Sequence, residues 1–262
     1  MEKLLYCYHT HTSRCGHANG KDEEYVINAI KAGIKRLGFS DHVILPKGYE
    51  QPGIRGSFYL LEDYLESINY LKEKYKDQIE IKIGFEAEFS EKFVKYYRFL
   101  LKDKIDYLIM GQHCYEEDGR LLWYFDKDAP IYCVSKYVDH VINGIKSGLF
   151  KYVAHPDLFM LSQSNWNQDL ERESRRLLKA CEDYHMPIEL NMCGMRRRNY
   201  NEVNYSYPNI NFYNLVKEYK IKVVLGPDVH DPEHFFDNTF AHALDFAKRA
   251  GLTIDWDYNI NE

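Results

Sequence analysis

The chain has no surplus of positive charge. Its formal net charge is −6 over 262 residues. A duplex-binding protein usually carries a basic stripe, so nucleic acid is not expected as a partner, while a small anionic ligand remains compatible. Long apolar runs are missing too. No stretch reaches the roughly 18 residues that a membrane span needs, and the opening MEKLLYCYHT is too short an apolar run for a signal peptide. No membrane association is expected. Cysteine is sparse, with six residues and no CxxC pair. Cys7, Cys15, Cys114, Cys133, Cys181 and Cys193 are scattered, which suits a reducing cytoplasm better than a disulfide framework. No linker, repeat or low-complexity segment stands out, so residues 1–262 are expected to form a single domain. No GxSxG element offers a serine nucleophile.

What is present is an apolar content of 45% and 23 tyrosines. Disorder is therefore not expected, and most of the tyrosines are expected to pack through their rings. Short apolar runs alternate with longer amphipathic segments. Strands are predicted at Leu4–His11, Leu37–Ser40, Ile79–Phe89, Tyr107–Cys114, Tyr152–His155, Pro187–Met192 and Lys222–Gly226, with a weaker one near Leu252–Trp256. Helices are predicted between them. Repeated βα units imply a parallel sheet, and seven or eight in this length imply a closed, TIM-like barrel. A doubly wound open sheet is the structural alternative. Three long segments, Val43–Phe58, Tyr115–Pro130 and Cys193–Asn209, are read as loops over the functional face.

The ligand-type side chains fall at predicted strand ends. His9 and His11 close the first strand as HTHT, and a spacing of two puts them on one face. His17 follows in RCGHANG. Asp41 and His42 follow the second strand in GFSDH. Glu86 and Glu88 lie near the end of the third, His113 ends the fourth in GQHC, and His155 ends the fifth in AHPD. Asp228 and His230 follow the seventh in GPDVH. Parallel barrel strands all end on one face, so these groups are expected to converge there, and they are the donors that divalent metals take. A lone histidine at a strand end more often has a structural role. Seven of the eleven histidines in such places are harder to ascribe to chance. His140, His185, His234 and His242 are read as packing or solvated residues. Asp41 is either a ligand or a carboxylate that orients a histidine, and Glu88 could replace Glu86 as a bridging group.

In the order HTHT, GFSDH, Glu86, GQHC, AHPD and GPDVH, the sequence resembles the polymerase-and-histidinol-phosphatase (PHP) superfamily of metallophosphoesterases, from His9 to His230. Within it the chain is most similar to the stand-alone histidinol-phosphate phosphatases. IELNMCGMR, Ile188–Arg196, stands where their motif reads something like EINTSGLR; GQHC and GPDVH depart from the more usual forms. The resemblance implies a distorted (β/α)7 barrel, an α/β fold with its metal site at the C-terminal strand ends, and three divalent ions, zinc, iron or manganese. It assigns His9, His11, Glu86 and Asp228 to one ion. Glu86 bridges to a second ion completed by His113 and His155, and His17, His42 and His230 hold the third. It further implies hydrolysis of L-histidinol phosphate, a step of histidine biosynthesis, with Glu86, Asp228, His230 and Arg196 as catalytic residues.

Three divalent ions against Glu86 and Asp228 leave the site roughly four units positive, which suits a phosphate monoester dianion. Attack by a metal-bridging hydroxide on phosphorus is the expected chemistry. Arginine clamps phosphate bidentately. Arg196 is the first candidate, Arg197 the next, and Arg55 in PGIRGS another; the alternative for each is a solvated charge. Rival readings are another small phosphomonoester or nucleotide, a C–N hydrolase of the amidohydrolase type, and a non-catalytic metal-binding scaffold.

Overall fold

The computed structural model describes residues 3–126, 130–196 and 207–261. It is an α/β fold built on a curled parallel sheet. Strands β1 (Tyr6–Cys7), β2 (Arg36–Phe39), β3 (Glu80–Ala87) and β4 (Tyr107–Met110) pair in that order, every pair parallel. A hairpin of β5 (Cys114–Glu117) and β6 (Arg120–Trp123) follows, and β7 (Ile188–Asn191) pairs in parallel with β8 (Val223–Gly226). Single parallel bridges link these pieces: Met110 to Val153, Val153 to Ile188, and Val223 to Ile254. Thr10 and Val229 make one more, fixed by His11 N donating to Val229 O at 2.9 Å and Val229 N donating to His9 O at 3.0 Å. The end of β1 thus meets the segment after β8.

Helices α1 (Asp22–Ala32), α2 (Leu61–Lys74), α3 (Val94–Asp103), α4 (Ile131–Ser147), α5 (Gln168–Asp183), α6 (Cys193–Arg196), α7 (Ile210–Val216) and α8 (Thr239–Ala250) complete the order. Their limits follow from local chemistry. The Asn167 side chain caps α5 by accepting from Leu170 N, which satisfies a donor the first turn cannot. Leu170, Leu177, Leu178 and Cys181 then form its buried stripe.

The regular strands are shorter than the sequence predicts. Only Tyr6–Cys7 of the first predicted strand is a continuous ladder, and the predicted fifth and eighth strands are reduced to the bridges at Val153 and Ile254. The predicted loop at Tyr115–Pro130 instead contains the hairpin. Its turn is Asp118–Gly119, with φ 50° and 72°. Two successive positive φ values are what a tight two-residue hairpin turn requires, and Asp-Gly supplies them at least cost. Most of the described tyrosines are buried, while Tyr49, Tyr59, Tyr70, Tyr132 and Tyr184 are exposed. Tyr6 stacks on Tyr8 at 5.6 Å, and Tyr258 edges against Tyr6, Tyr8 and Tyr152. Buried hydroxyls find carbonyls: Tyr107 donates to Tyr8 O and Phe39 O. No described helix is long and apolar enough to cross a membrane.

Candidate metal centre

The strand ends carry the predicted donors to one place. Glu86, in the last turn of the pleat of β3, is 1% exposed and faces five imidazoles. Its Oε2 lies 3.6 Å from His9 Nε2, 3.6 Å from His11 Nε2 and 3.2 Å from His42 Nδ1. Its Oε1 lies 2.6 Å from His155 Nε2 and 3.4 Å from His113 Nε2. Gly111, just past the end of β4, leaves it room: a Cβ there would stand 1.8 Å from Glu86 Oε1. Asp228 Oδ1 lies 3.5 Å from His9 Nε2, 3.3 Å from His11 Nε2 and 3.2 Å from His230 Nδ1. The His17 ring is 5.2 Å from that of His42 and 5.1 Å from that of His230.

Backbone geometry helps to aim these groups. Asp228 has φ 48° and His155 has φ 31°, a region that non-glycine residues seldom occupy and that concentrates at functional sites. Gln112, in the GQHC motif, is buried and serves the scaffold, accepting from Phe89 N at 2.8 Å and donating to Cys114 O at 3.0 Å.

The electrostatics are those of a packed set of acids and imidazoles. Burial opposes the charge on Glu86, but His113, His9 and His42 hold its carboxyl well below the usual range. Asp228 is held low against burial by His9 and His230. Burial pushes His42 down well below an ordinary histidine, and burial with neighbouring His11 brings His230 down to about 4.

Hydrogen bonding leaves a residue of unmet need. His9 Nε2, His11 Nδ1, His42 Nδ1, His155 Nδ1 and Asp228 Oδ1 are buried without a hydrogen-bond partner. Buried polar atoms are nearly always paired. Three of these, His9 Nε2, His42 Nδ1 and Asp228 Oδ1, face one another across Glu86, which fits coordination to cations. Sets whose ligand atoms lie within 4.8 Å of one another include His9–His11–Asp228, His9–Glu86–His155, His42–Glu86–His113 and His11–His42–His230. His11 thus stands among donors that the sequence reading divides between two ions. Cys15 and Asp41 form a further set with His11. Asp41 accepts from the Thr12 hydroxyl and lies 3.5 Å from His11 Nδ1.

The arginines stand elsewhere. A cavity of about 450 Å³ is lined by His11, His17, His42, Glu86, His113, His155, Asp228 and His230, with Ile54, Trp123, Phe125, Leu158, Leu161 and Tyr207 on its apolar side. The structure brings neither Arg196 nor Arg55 to its lining. Arg196 donates to Asp237 Oδ2 at 2.5 Å and to the carbonyls of Pro227 and Asp228 at 3.0 and 3.3 Å. The Arg55 guanidinium is 1% exposed and bonds both oxygens of Glu88, at 3.1 and 2.9 Å, and Val43 O. With its donors taken by Glu88, Val43 O and Gln51 Oε1, Arg55 does not line the histidine cavity, and Glu88, paired with it, stands outside the His9–Glu86–His155 and His42–Glu86–His113 sets. Arg197 lies outside the described residues. CYEEDGR holds a Cys-x5-Arg spacing, but it folds as the β5–β6 hairpin, and burial pushes the Cys114 thiol up, away from a reactive thiolate.

Two residues escaped the sequence reading. Glu189 and Asn191, both fully buried on β7, contact His9, the His155 backbone and Asp228. Their signals were the i, i+2 spacing in IELN and the place of that segment against the EINTSGLR-like motif, neither of which gives a role to either side chain.

Comparison with known proteins finds relatives along most of the chain. A protein of Deinococcus radiodurans named "Probable histidinol-phosphatase" is 28% identical over 240 residues, covering 86% of this chain and 85% of its own. The histidinol-phosphatase of Bacillus subtilis is 25% identical over 257 residues, covering 85% and 92%. The solved histidinol phosphate phosphatase of Lactococcus lactis, in complex with zinc, L-histidinol and phosphate, superposes with a TM-score of 0.71 at 19% identity, over 96% of this chain and 95% of that one; it shares the fold. The PHP domain family matches residues 8–193, and the chain belongs to that family.

Proposed function

We propose that this protein is a histidinol-phosphatase, hydrolysing L-histidinol phosphate to L-histidinol and phosphate with three divalent ions, zinc, iron or manganese, at the strand ends. The observation that carries it is the convergence of unpaired buried His9 Nε2, His42 Nδ1 and Asp228 Oδ1 beside Glu86, in a chain whose relatives bear that name. The residues that would hold the ions are His9, His11, His17, His42, Glu86, His113, His155, Asp228 and His230. Bound there, divalent ions would make water a nucleophile at neutral pH and neutralise the phosphate oxygens. The protein supplies the rest. Glu86 and Asp228 fix the charge balance, the buried imidazoles act as neutral donors, and the wall of Trp123, Phe125 and Leu158 excludes water and offers apolar surface to the ring of the leaving group. Arg196 acts on Asp228 through its backbone rather than on phosphate. We read the scaffold as a distorted (β/α)7 barrel, the chain as one catalytic domain, and its place as the cytoplasm.

The test is phosphate release from L-histidinol phosphate by protein reconstituted with Mn²⁺, Zn²⁺ or Fe²⁺, beside a panel of other phosphomonoesters, with metal counted on the same sample. Strong preference for histidinol phosphate with about three metals per chain is expected. Activity confined to other esters would remove the substrate assignment, and full metal occupancy without any hydrolysis would make the site a scaffold.

A further inference from the structure

Glu189 is a fully buried carboxylate at the back of the centre. An acidic group without solvent is costly unless its lone pairs are taken, so its partners define its purpose. Oε1 accepts from His9 Nδ1 at 2.8 Å. Oε2 accepts from the His155 backbone N–H at 3.0 Å and from Asn191 Nδ2 at 2.8 Å. Asn191 Nδ2 donates in turn to Asp228 Oδ2 at 3.0 Å, while its Oδ1 accepts from Gly194 N. The neighbouring strand has made space for this carboxylate. A Cβ at Gly226 would stand 1.6 Å from Glu189 Oε1 and 2.0 Å from its Cδ, so only glycine fits there.

We infer that Glu189 and Asn191 form a positioning bracket that sets the metal-binding face of His9 and Asp228. The inference rests on those two residues being ligands, as proposed above. With Nδ1–H donated to Glu189, the His9 ring must present its Nε2 lone pair forward, to the place where Glu86 Oε2 and Asp228 Oδ1 converge. With Oδ2 held by Asn191, Asp228 keeps Oδ1 free, and that atom is one of the unpaired set. The third bond ties down His155 at a backbone conformation of φ 31°. One carboxylate therefore registers three ligand-bearing segments, the ends of β1 and β8 and the bridge strand at Val153, against one another.

Glu189→Gln tests this with almost no change of volume. Its amide N–H₂ would face His9 Nδ1 and favour the opposite tautomer, with a proton on Nε2. Metal affinity is measured by Co²⁺ titration against a chelator, with the visible Co²⁺ spectrum recorded alongside the urea midpoint of the metal-free protein. The expected result is affinity weakened about 10–100-fold, the range for groups that orient ligands, with an altered spectrum. Gly226→Ala, which displaces Glu189 without removing a polar group, should weaken binding in the same sense. Should neither fold, Asn191→Ala carries the test through its bond to Asp228. Wild-type affinity and spectrum in a folded variant overturn the bracket, as does a fall in metal-free stability with affinity unchanged. A wild-type protein that takes up no Co²⁺ overturns the metal reading itself, and the bracket with it.

Discussion

Glu86 and Glu88 emerge from the end of β3 two residues apart, and their surroundings could hardly differ more. Glu86 faces five imidazoles and lines the histidine cavity. Glu88 is closed by the buried guanidinium of Arg55 and lines a separate cavity of about 410 Å³ with Phe89, Tyr97 and Cys114. A guanidinium is always charged and has no lone pair to give, so it ends the matter for its partner. An imidazole offers a lone pair to a cation when neutral, so a carboxylate among imidazoles stays available. His113 joins the two regions, with Nε2 at 3.4 Å from Glu86 and Nδ1 at 3.1 Å from Glu88. Glu88 thus stands to His113 as Glu189 stands to His9: each accepts at Nδ1 and turns Nε2 toward the centre.

The largest effect is expected at Glu86. Glu86→Gln should strip metal from the centre and reduce phosphate release well beyond the roughly 100-fold typical of groups that only orient ligands; Glu88→Gln should stay within that range. Equal losses of metal and rate in the two variants would erase the distinction. Next is Arg55→Met, which strands Glu88 without its cation. A loss of about 3–5 kcal/mol is expected from breaking one side of a buried pair, read from the urea midpoint, with most of it recovered in Arg55→Met/Glu88→Gln. A stable Arg55→Met with impaired turnover would instead return Arg55 to the substrate. Arg196→Ala removes charged bonds to Asp237 and to the carbonyls flanking Asp228, so a loss of about 1.5–3 kcal/mol in thermal or urea stability is expected. A raised KM with unchanged stability would restore it as a phosphate clamp.

The smallest effect is in acid. Against burial, Arg55 and His113 lower the Glu88 carboxyl to about 2. A carboxyl lowered by folding contributes stability that is present above its ordinary value near 4.5 and lost as pH falls toward 2. Between pH 5 and pH 3 the urea midpoint should therefore drop further in the wild type than in Glu88→Gln. Parallel curves would mean that the Arg55 pair is no stronger in the folded protein than in the unfolded one.

The donors of the centre were legible because their position is local: HTHT, SDH, GQHC, AHPD and GPDVH sit where apolar runs stop, and the topology of a parallel sheet gathers such stops on one face. The hairpin was also written locally, in Asp118–Gly119 between CYEE and RLLW, but a long polar segment hid it. The Arg55–Glu88 pair was not legible. An arginine in a glycine-bounded loop looks the same whether it meets phosphate or a carboxylate 33 residues away. Glu189 was hidden for the same reason, as its partner His9 is 180 residues distant.

By itself, then, the sequence determined the inventory of donors, their order and the common face on which they end, because strand period and βα alternation are short-range properties. Only the tertiary structure decided which carboxylate remains open to cations, which is sealed by an arginine and which stands behind a histidine. Those choices depend on pairings across strands and on the room that Gly111 and Gly226 leave for a side chain, and neither is encoded within reach of any single motif.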